Sequence, residues 1–346
     1  MSTLRGSLIG IAVAMLICLG VSSFWLDRER DRAMAATLRL GSPVIYEVES
    51  GSNISRIASD LAARRVLERP AFIVWHARVS GEAAAIKAGE YRLTPGMTAT
   101  DLLALLVSGR VVQRAFTVIE GWTFTELVNA VRASPVLEQT LSDATPDEIM
   151  VRLGHPDEHP EGRFLPDTYH FPKGTTDLEF LKRAYDAMTA YLATAWQGRE
   201  ASLPLNDAYE ALILASIVEK ETAVPEERRR IAGVFVARLR KGMRLQTDPT
   251  VIYGLGVAFD GNLRRRDLET DTPYNTYTRK GLPPTPIALP GAASIDAVVN
   301  PLVDGSLYFV ARGDGSHHFS KTYEEHVNAV NKYQLRRRSK TGTQGG

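Results

Sequence analysis

One pattern, which occurs three times in the N-terminal part of the chain, most constrains its fold. Each copy has an alternating apolar run, a glycine, a Ser/Thr/Asn cluster and then apolar residues at helical spacing. The copies begin at Tyr46, Tyr91 and Phe116, and their glycines are Gly51, Gly96 and Gly121. Each copy predicts a strand, a tight turn and a capped helix. Because units this short cannot bury their own apolar faces, we expect residues 41–112 to form one compact α+β module.

A second constraint is the run at 7–26, which has no charged residue and matches the length of a transmembrane helix. This length, with the charges that follow at once, favours an anchor over a cleaved signal peptide. Basic residues lie mainly after the run, so charge gives no support for an orientation. We expect a tail at 1–6, a transmembrane helix at 7–26 and a linker at 27–40. Cys18 lies within the run, so the rest of the chain has no disulfide.

Composition limits the choice of partners. The formal net charge is +1, which gives no electrostatic preference for nucleic acid, so no nucleic-acid partner is expected.

His155 and His159 have the spacing of a metal pair on a helix, but prolines follow both of them and break that helix. We therefore expect no metal and no other cofactor. Residues 113–333 are expected to form a larger α+β domain, followed by a disordered basic tail at 334–346.

The uncharged run at 211–218 ends abruptly at Glu219, Lys220 and Glu221. A helix over about 207–221 would be mostly buried, with Glu219 as its first ionisable group after the run. Burial and the helix C-terminus both disfavour a negative charge there, which suits a general acid. The alternative is a solvated helix end. Downstream, the loops at 244–253 and 272–279 are rich in Asn, Gln, Thr and Tyr, which either contact sugars or peptides or structure the loops themselves.

Several motifs together resemble the endolytic murein transglycosylase family of bacteria. They are "EGRFLPDTYHFPKGT", "LASIVEKET", "GMRLQTDPTVIYGLG", "YNTYTRKGLPP" and "LYFVARGDGSHHFS", in this order along the chain. The resemblance implies a single-pass protein of the bacterial inner membrane, with its bulk in the periplasm. It also implies a LysM-like module, at 41–112, before the catalytic domain. The implied reaction cleaves the MurNAc–GlcNAc β-1,4 bond of glycan strands and leaves 1,6-anhydro-MurNAc ends.

The resemblance also assigns residues to this reaction. It places the catalytic acid, and then base, at Glu219, and implies that cell-wall synthases are partners. It places six residues around the cleft: Gln246, Thr247, Asp248, Tyr274, Asn275 and Tyr277. We interpret Glu221 as a structural partner in an ion pair.

Two alternatives remain open on the sequence alone. One is a non-catalytic peptidoglycan-binding scaffold of the wall-synthesis machinery. The other is a murein hydrolase, which needs a second carboxylate beside the acid. Candidates for it near Glu219 in the sequence are Asp248, Asp267, Glu269 and Asp271.

Overall fold

A computed structural model describes the backbone of residues 2–335 and the side chains of 13–334. The chain divides into two compact units, one of residues 1–114 with 170–173 and one of 115–169 with 174–346. Helices and small two-stranded sheets are mixed in the chain, which confirms the predicted α+β class. The predicted basic tail lies outside the described residues from 336 onward.

The first unit contains α1 (Ser2–Ala35), β1 (Val44–Val48), α2 (Ile54–Ala63), α3 (Pro70–Val79), β2 (Gly89–Leu93) and α4 (Ala99–Ser108). Strands β1 and β2 are antiparallel, with Tyr46 opposite Tyr91. The apolar faces of α2, α3 and α4 pack with these strands into one core, in which the Tyr91 ring is fully buried. The LysM-like assignment of this segment stays a prediction.

The repeated strand, turn and helix pattern is confirmed. Gly51 and Gly96 have φ angles of +78° and +89°, a conformation that glycine adopts without strain. The following helices begin where a side chain accepts a hydrogen bond from the backbone N–H three residues later, at Asn53 for α2 and Thr98 for α4. Local signals therefore determine both helix starts.

Helix α1 continues to Ala35, through residues predicted to be a linker. The predicted transmembrane segment at 7–26 falls partly on residues 1–12, whose side chains lie outside the described ones. In the part of α1 whose side chains are described, the remaining apolar run is followed directly by Asp27, Arg28 and Glu29. No helix among the described residues is long and apolar enough to cross a membrane, so the transmembrane prediction is not supported.

The remaining elements are β3 (Arg114–Thr117), α5 (Phe124–Arg132), α6 (Pro146–Leu153), β4 (Thr168–Phe171), α7 (Asp177–Gln197), α8 (Ala208–Glu221), α9 (Pro225–Arg240), α10 (Asp248–Leu255), α11 (Arg265–Glu269), α12 (Ala292–Val299), β5 (Tyr308–Ala311), β6 (His317–Ser320) and α13 (Tyr323–Val330). Strand β3 pairs with β4, and β5 pairs with β6 in antiparallel register.

Helix α8 is the centre of the second unit's core. All its residues from 211 to 218 are buried, and it packs against α7, α9 and α12. The hydroxyl of Ser216 donates to the Ile213 carbonyl and accepts the Ile287 N–H at 2.9 Å, so the polar group in this core is satisfied. The sequence predicted a buried helix over about 207–221, and α8 confirms it. A helix enclosed on several sides holds the residues at its C-terminal end in fixed positions.

Candidate active site

Glu219 lies in the last turn of α8, and its side chain is only 6% exposed. Its Oε2 accepts a hydrogen bond from the Gly291 N–H, which is 3.0 Å away at the start of α12. Arg228 Nη2 lies 3.7 Å from its Oε1. Both neighbours stabilise a carboxylate, whereas the sequence indicated only features that disfavour the charge. The difference arises because α9 and α12 approach Glu219 through tertiary packing.

A cavity of about 640 Å³ adjoins Glu219. The turn in the third copy of the repeated pattern also lines this cavity, through Gly121 and Trp122. Gly121 has φ +76°, and a Cβ there would lie 3.9 Å from Glu219 Cγ. The Lys220 ammonium donates to the Gly121 carbonyl at 3.1 Å and so fixes this turn against the end of α8. The third copy of the repeated pattern, which was predicted only as a fold element, therefore contributes to the site.

Glu120 is the second carboxylate beside Glu219. Its Oε2 lies 3.7 Å from Arg228 Nη2, so one guanidinium faces both carboxylates, and Glu120 remains 49% exposed. A Cβ on Gly291 would overlap the Glu120 carboxylate, so a side chain at this position would displace Glu120. Sequence reasoning missed Arg228 and Glu120, because neither has a local pattern that separates it from other surface charges.

The carboxylates proposed from sequence proximity have other partners. Asp267 caps α11, Glu269 pairs with Arg265, and Asp271 pairs with Arg279. The hydrogen bonds from Arg279 lower the pKa of Asp271 to about 2. None of these three lines the Glu219 cavity.

Glu221 lines the Glu219 cavity and also a second cavity of about 450 Å³. Its Oε1 accepts a hydrogen bond from the Thr247 hydroxyl. Burial raises the pKa of Glu221 to about 7, and the nearby Asp248 charge acts in the same direction. Among the described residues no cation forms an ion pair with Glu221, so the prediction of such a pair was wrong. Thr247 supplies a neutral partner instead.

Gln246, Asp248 and Tyr277, all predicted around the cleft, line the second cavity. Gln246 has φ +52°, which is uncommon and strained for a residue with a side chain. The Tyr277 hydroxyl donates to the Asp248 carboxylate. Burial, together with this carboxylate, raises the pKa of Tyr277. These side chains therefore form a polar and aromatic wall.

The other three predicted cleft residues line neither cavity. Thr247 is buried beneath Glu221. Asn275 is fully buried, and its Nδ2 donates to three carbonyls, those of Asp267, Leu268 and Thr270. The Tyr274 hydroxyl shares a hydrogen bond with Thr285 at 2.8 Å, and its ring packs on Tyr253. In the structure these three side chains make contacts that hold the loops.

Glu161 is a buried carboxyl that sequence reasoning did not select. It is 3% exposed, and its oxygens accept hydrogen bonds from the Phe124 N–H at 2.9 Å and the Tyr253 hydroxyl at 3.0 Å. Burial raises the pKa of Glu161 to about 7. It lies in an irregular loop, where no periodicity indicates burial. Its hydrogen bond to Phe124 holds the start of α5 against the core of the second unit, next to Trp122, which lines the Glu219 cavity.

The two histidines with metal-like spacing make other contacts. The His155 ring packs on the Tyr185 ring with centroids 4.2 Å apart. His159 Nδ1 accepts the Glu161 N–H at 3.2 Å. Both rings therefore belong to the packing of this loop.

A buried helix that presents one enclosed carboxyl to a polar cavity has a geometry that suits acid–base catalysis. The chain belongs to the YceG-like family, which matches residues 46–332. This confirms the resemblance read from the motifs.

Similar proteins bear names that agree with this family. An endolytic murein transglycosylase of Bacillus subtilis is 34% identical in an alignment of 308 residues that covers 84% of this chain and 84% of that protein. One of Streptococcus pneumoniae is 27% identical over 317 residues, which cover 82% of this chain and 57% of that protein. The crystal structure of a YceG-like protein from Listeria monocytogenes has a TM-score of 0.52 at 30% identity, and covers 84% of this chain and 99% of its own.

Proposed function

We propose that this chain is an endolytic murein transglycosylase. It cleaves the MurNAc–GlcNAc β-1,4 bond within peptidoglycan glycan strands and leaves 1,6-anhydro-MurNAc ends. The observation that carries the proposal is Glu219, an enclosed carboxyl at the end of a buried helix beside a cavity, in a family whose named relatives are such enzymes. The substrate implies a bacterial protein that acts at the cell wall.

In the first step the protonated Glu219 acts as a general acid. Its proton passes to the glycosidic oxygen, and the bond from that oxygen to C1 of MurNAc breaks through an oxocarbenium-like state. Oε2 is bonded to the Gly291 N–H, which leaves Oε1 as the oxygen that transfers the proton. The carboxylate that results is stabilised by Gly291 and Arg228.

In the second step the same carboxylate acts as a base. It takes the proton of the C6 hydroxyl of MurNAc while O6 bonds to C1, which closes the 1,6-anhydro ring and restores the acid. No water enters the product. One carboxyl is therefore sufficient, whereas most glycosidases use a pair.

The cleft residues divide into two roles in this proposal. Gln246, Asp248 and Tyr277 contact the strand, since they line the second cavity. Thr247 and Asn275 support these contacts, Thr247 by its bond to Glu221 and Asn275 by accepting the Tyr277 N–H at 2.9 Å. Tyr274 supports the loop from behind, through Thr285.

A murein hydrolase is the second candidate, and Glu120 is the observation that favours it. This exposed carboxylate shares Arg228 with Glu219 and could activate a water molecule. The two reactions leave different ends, so mass spectrometry of digested peptidoglycan separates them. We expect anhydro ends, and a rate that Glu120→Gln changes less than tenfold. Reducing MurNAc ends without anhydro product would establish hydrolysis.

The binding role of residues 41–112 also remains a proposal, as does a partnership with cell-wall synthases. A LysM-like module would hold the enzyme on the glycan. Sedimentation of the full chain with insoluble peptidoglycan, with and without substitutions on the β1–β2 surface, tests that role. Unchanged sedimentation would show that this module is not the binding element.

A further inference from the structure

The second cavity contains a histidine whose orientation is fixed. His317, at the start of β6, has its Nδ1 2.7 Å from Glu227 Oε2, and its backbone N–H donates to Glu227 Oε1 at 2.8 Å. Both side chains are largely buried, and His317 lines the cavity. Since a carboxylate only accepts, the Nδ1 of a neutral His317 carries the proton. Its Nε2 is then an acceptor that is left for a ligand.

The lining of this cavity also supplies further acceptors. They are the Asp248 carboxylate, the Gln246 amide oxygen and the Glu221 carboxyl, and the Tyr277 and Tyr308 rings add flat apolar surface. A ligand that suits this lining carries several donors around a compact ring. Sugar hydroxyls and an N-acetyl N–H meet that requirement, and aromatic faces pack on sugar rings.

Arg238 lines the cavity, and its guanidinium is partly occupied by backbone carbonyls. The Arg238 guanidinium donates to the Leu245 carbonyl at 2.6 Å and to the Leu307 carbonyl at 2.7 Å. Its plane lies over the Tyr308 ring, 5.2 Å from the centroid. Two of its nitrogens are therefore bonded to the backbone that shapes the cavity. Because the Asp248 and Glu221 carboxyls line the same cavity, a neutral, donor-rich ligand fits better than a carboxylate or a phosphate.

Backbone strain is found at Gln246, in the wall of the second cavity. Gln246 keeps its positive φ because its N–H donates to the Thr276 carbonyl at 3.2 Å and the neighbouring Thr247 N–H donates to the Thr276 hydroxyl. Strain that the surrounding bonds maintain is common at ligand sites. Here it places Gln246 and Asp248 on the cavity wall while Thr247 points to the core.

We propose that this cavity is a second saccharide subsite, in which His317, held by Glu227, accepts a hydrogen bond from a hydroxyl or N-acetyl N–H of the bound sugar. The proposal rests on the proposed function. Glu221 lines both cavities, so a strand that is cut at Glu219 continues past the end of α8 into this subsite. His317 thus determines specificity for the glycan, and Glu227 is a positioning residue.

Calorimetry on the full chain tests the subsite directly. The protein carries Glu219→Gln to prevent cleavage, and the probe is a β-1,4-linked N-acetylglucosamine tetrasaccharide. His317→Ala is expected to weaken binding about fivefold to tenfold, the value of one hydrogen bond. The adjacent His318→Ala is the matched control, because His318 packs on Tyr333 and does not line the cavity. It should bind as the parent does.

Kinetics on glycan strands separate positioning from general structural damage. Glu227→Gln should raise KM with little change in kcat, because the imidazole loses its carboxylate partner while Glu219 is untouched. His317→Gln, whose amide oxygen can also accept, should recover part of the affinity lost in His317→Ala.

Three results would overturn the subsite. They are unchanged affinity in His317→Ala, an equal loss in His318→Ala, and no binding of the tetrasaccharide by the parent. The proposed function fails separately, when the wild-type enzyme leaves no anhydro ends. Anhydro ends with an unchanged KM in His317→Ala would remove the subsite alone.

Discussion

Replacement of Glu161 by glutamine should change how the stability of the second unit depends on pH. Burial raises the pKa of Glu161 to about 7 from an ordinary value of 4.5. A raised pKa means that the folded state binds the proton more tightly than the unfolded state. The contribution of Glu161 to the free energy of unfolding is therefore fully present below pH 4.5 and is lost as the pH rises through 7. At about 1.4 kcal/mol per pH unit, the total loss is about 3 kcal/mol.

Glutamine removes this loss without removing the contacts. Its amide oxygen can accept the Phe124 N–H, and its NH₂ can donate to the Tyr253 hydroxyl oxygen. Relative to wild type, Glu161→Gln should gain about 3 kcal/mol between pH 5 and pH 9. Glu221 also has a raised pKa, but it is present in both proteins and its contribution cancels in the difference.

Denaturant unfolding at several pH values, followed by the fluorescence of Trp122 and Trp196, measures this difference. Glu148→Gln is the control, because hydrogen bonds from Thr145 lower the pKa of Glu148. Its contribution is lost only in acid, so this variant should differ from wild type by a constant amount from pH 5.5 to 9. The same constant difference in Glu161→Gln would refute the assignment of a raised pKa to burial.

Two further substitutions test packing and loop support. Gly233→Ala should destabilise the second unit by about 1–3 kcal/mol, because the Cβ of the new alanine would overlap the Leu302 backbone carbonyl. Thermal unfolding, with Ala232→Gly as the control, measures this loss. An unchanged midpoint would contradict that overlap. Asn275→Ala should lower stability by about 2 kcal/mol or more, because three carbonyls lose their donor, and Asn275→Asp should not restore it. A loss of activity at wild-type stability would instead mean that Asn275 binds substrate.

Local signals in the sequence account for much of the fold. The turn glycines and the caps at Asn53, Thr98 and Thr123 determine where helices begin, and these signals act within a few residues. The same holds for α8, since its uncharged run predicts a buried helix that ends near Glu219. The linker prediction did not include the continuation of α1 to Ala35, through residues whose charges pair with one another along the helix, as in Arg30 with Asp27.

The environment of Glu219 could not be predicted in this way. Gly291 lies 72 residues away along the chain, and Arg228 and Glu120 approach from other elements. Their effect on the carboxyl depends on distances that only tertiary packing sets. Tertiary packing also explains why Asn275 and Gln246 differ in environment. Both are polar loop residues in the sequence, but Asn275 is fully buried among carbonyls and Gln246 lines a cavity.

The proposed mechanism depends most on Glu219 as the acid and base, and one measurement tests that role most directly. It is the initial rate at which 1,6-anhydro-MurNAc ends form from purified glycan strands, counted by mass spectrometry for Glu219→Gln and wild type. The control is Glu210→Gln, in the first turn of the same helix and lining neither cavity. We predict a loss of about a hundredfold or more for Glu219→Gln, with the control near wild type. Anhydro ends that form at the wild-type rate in Glu219→Gln would contradict the mechanism.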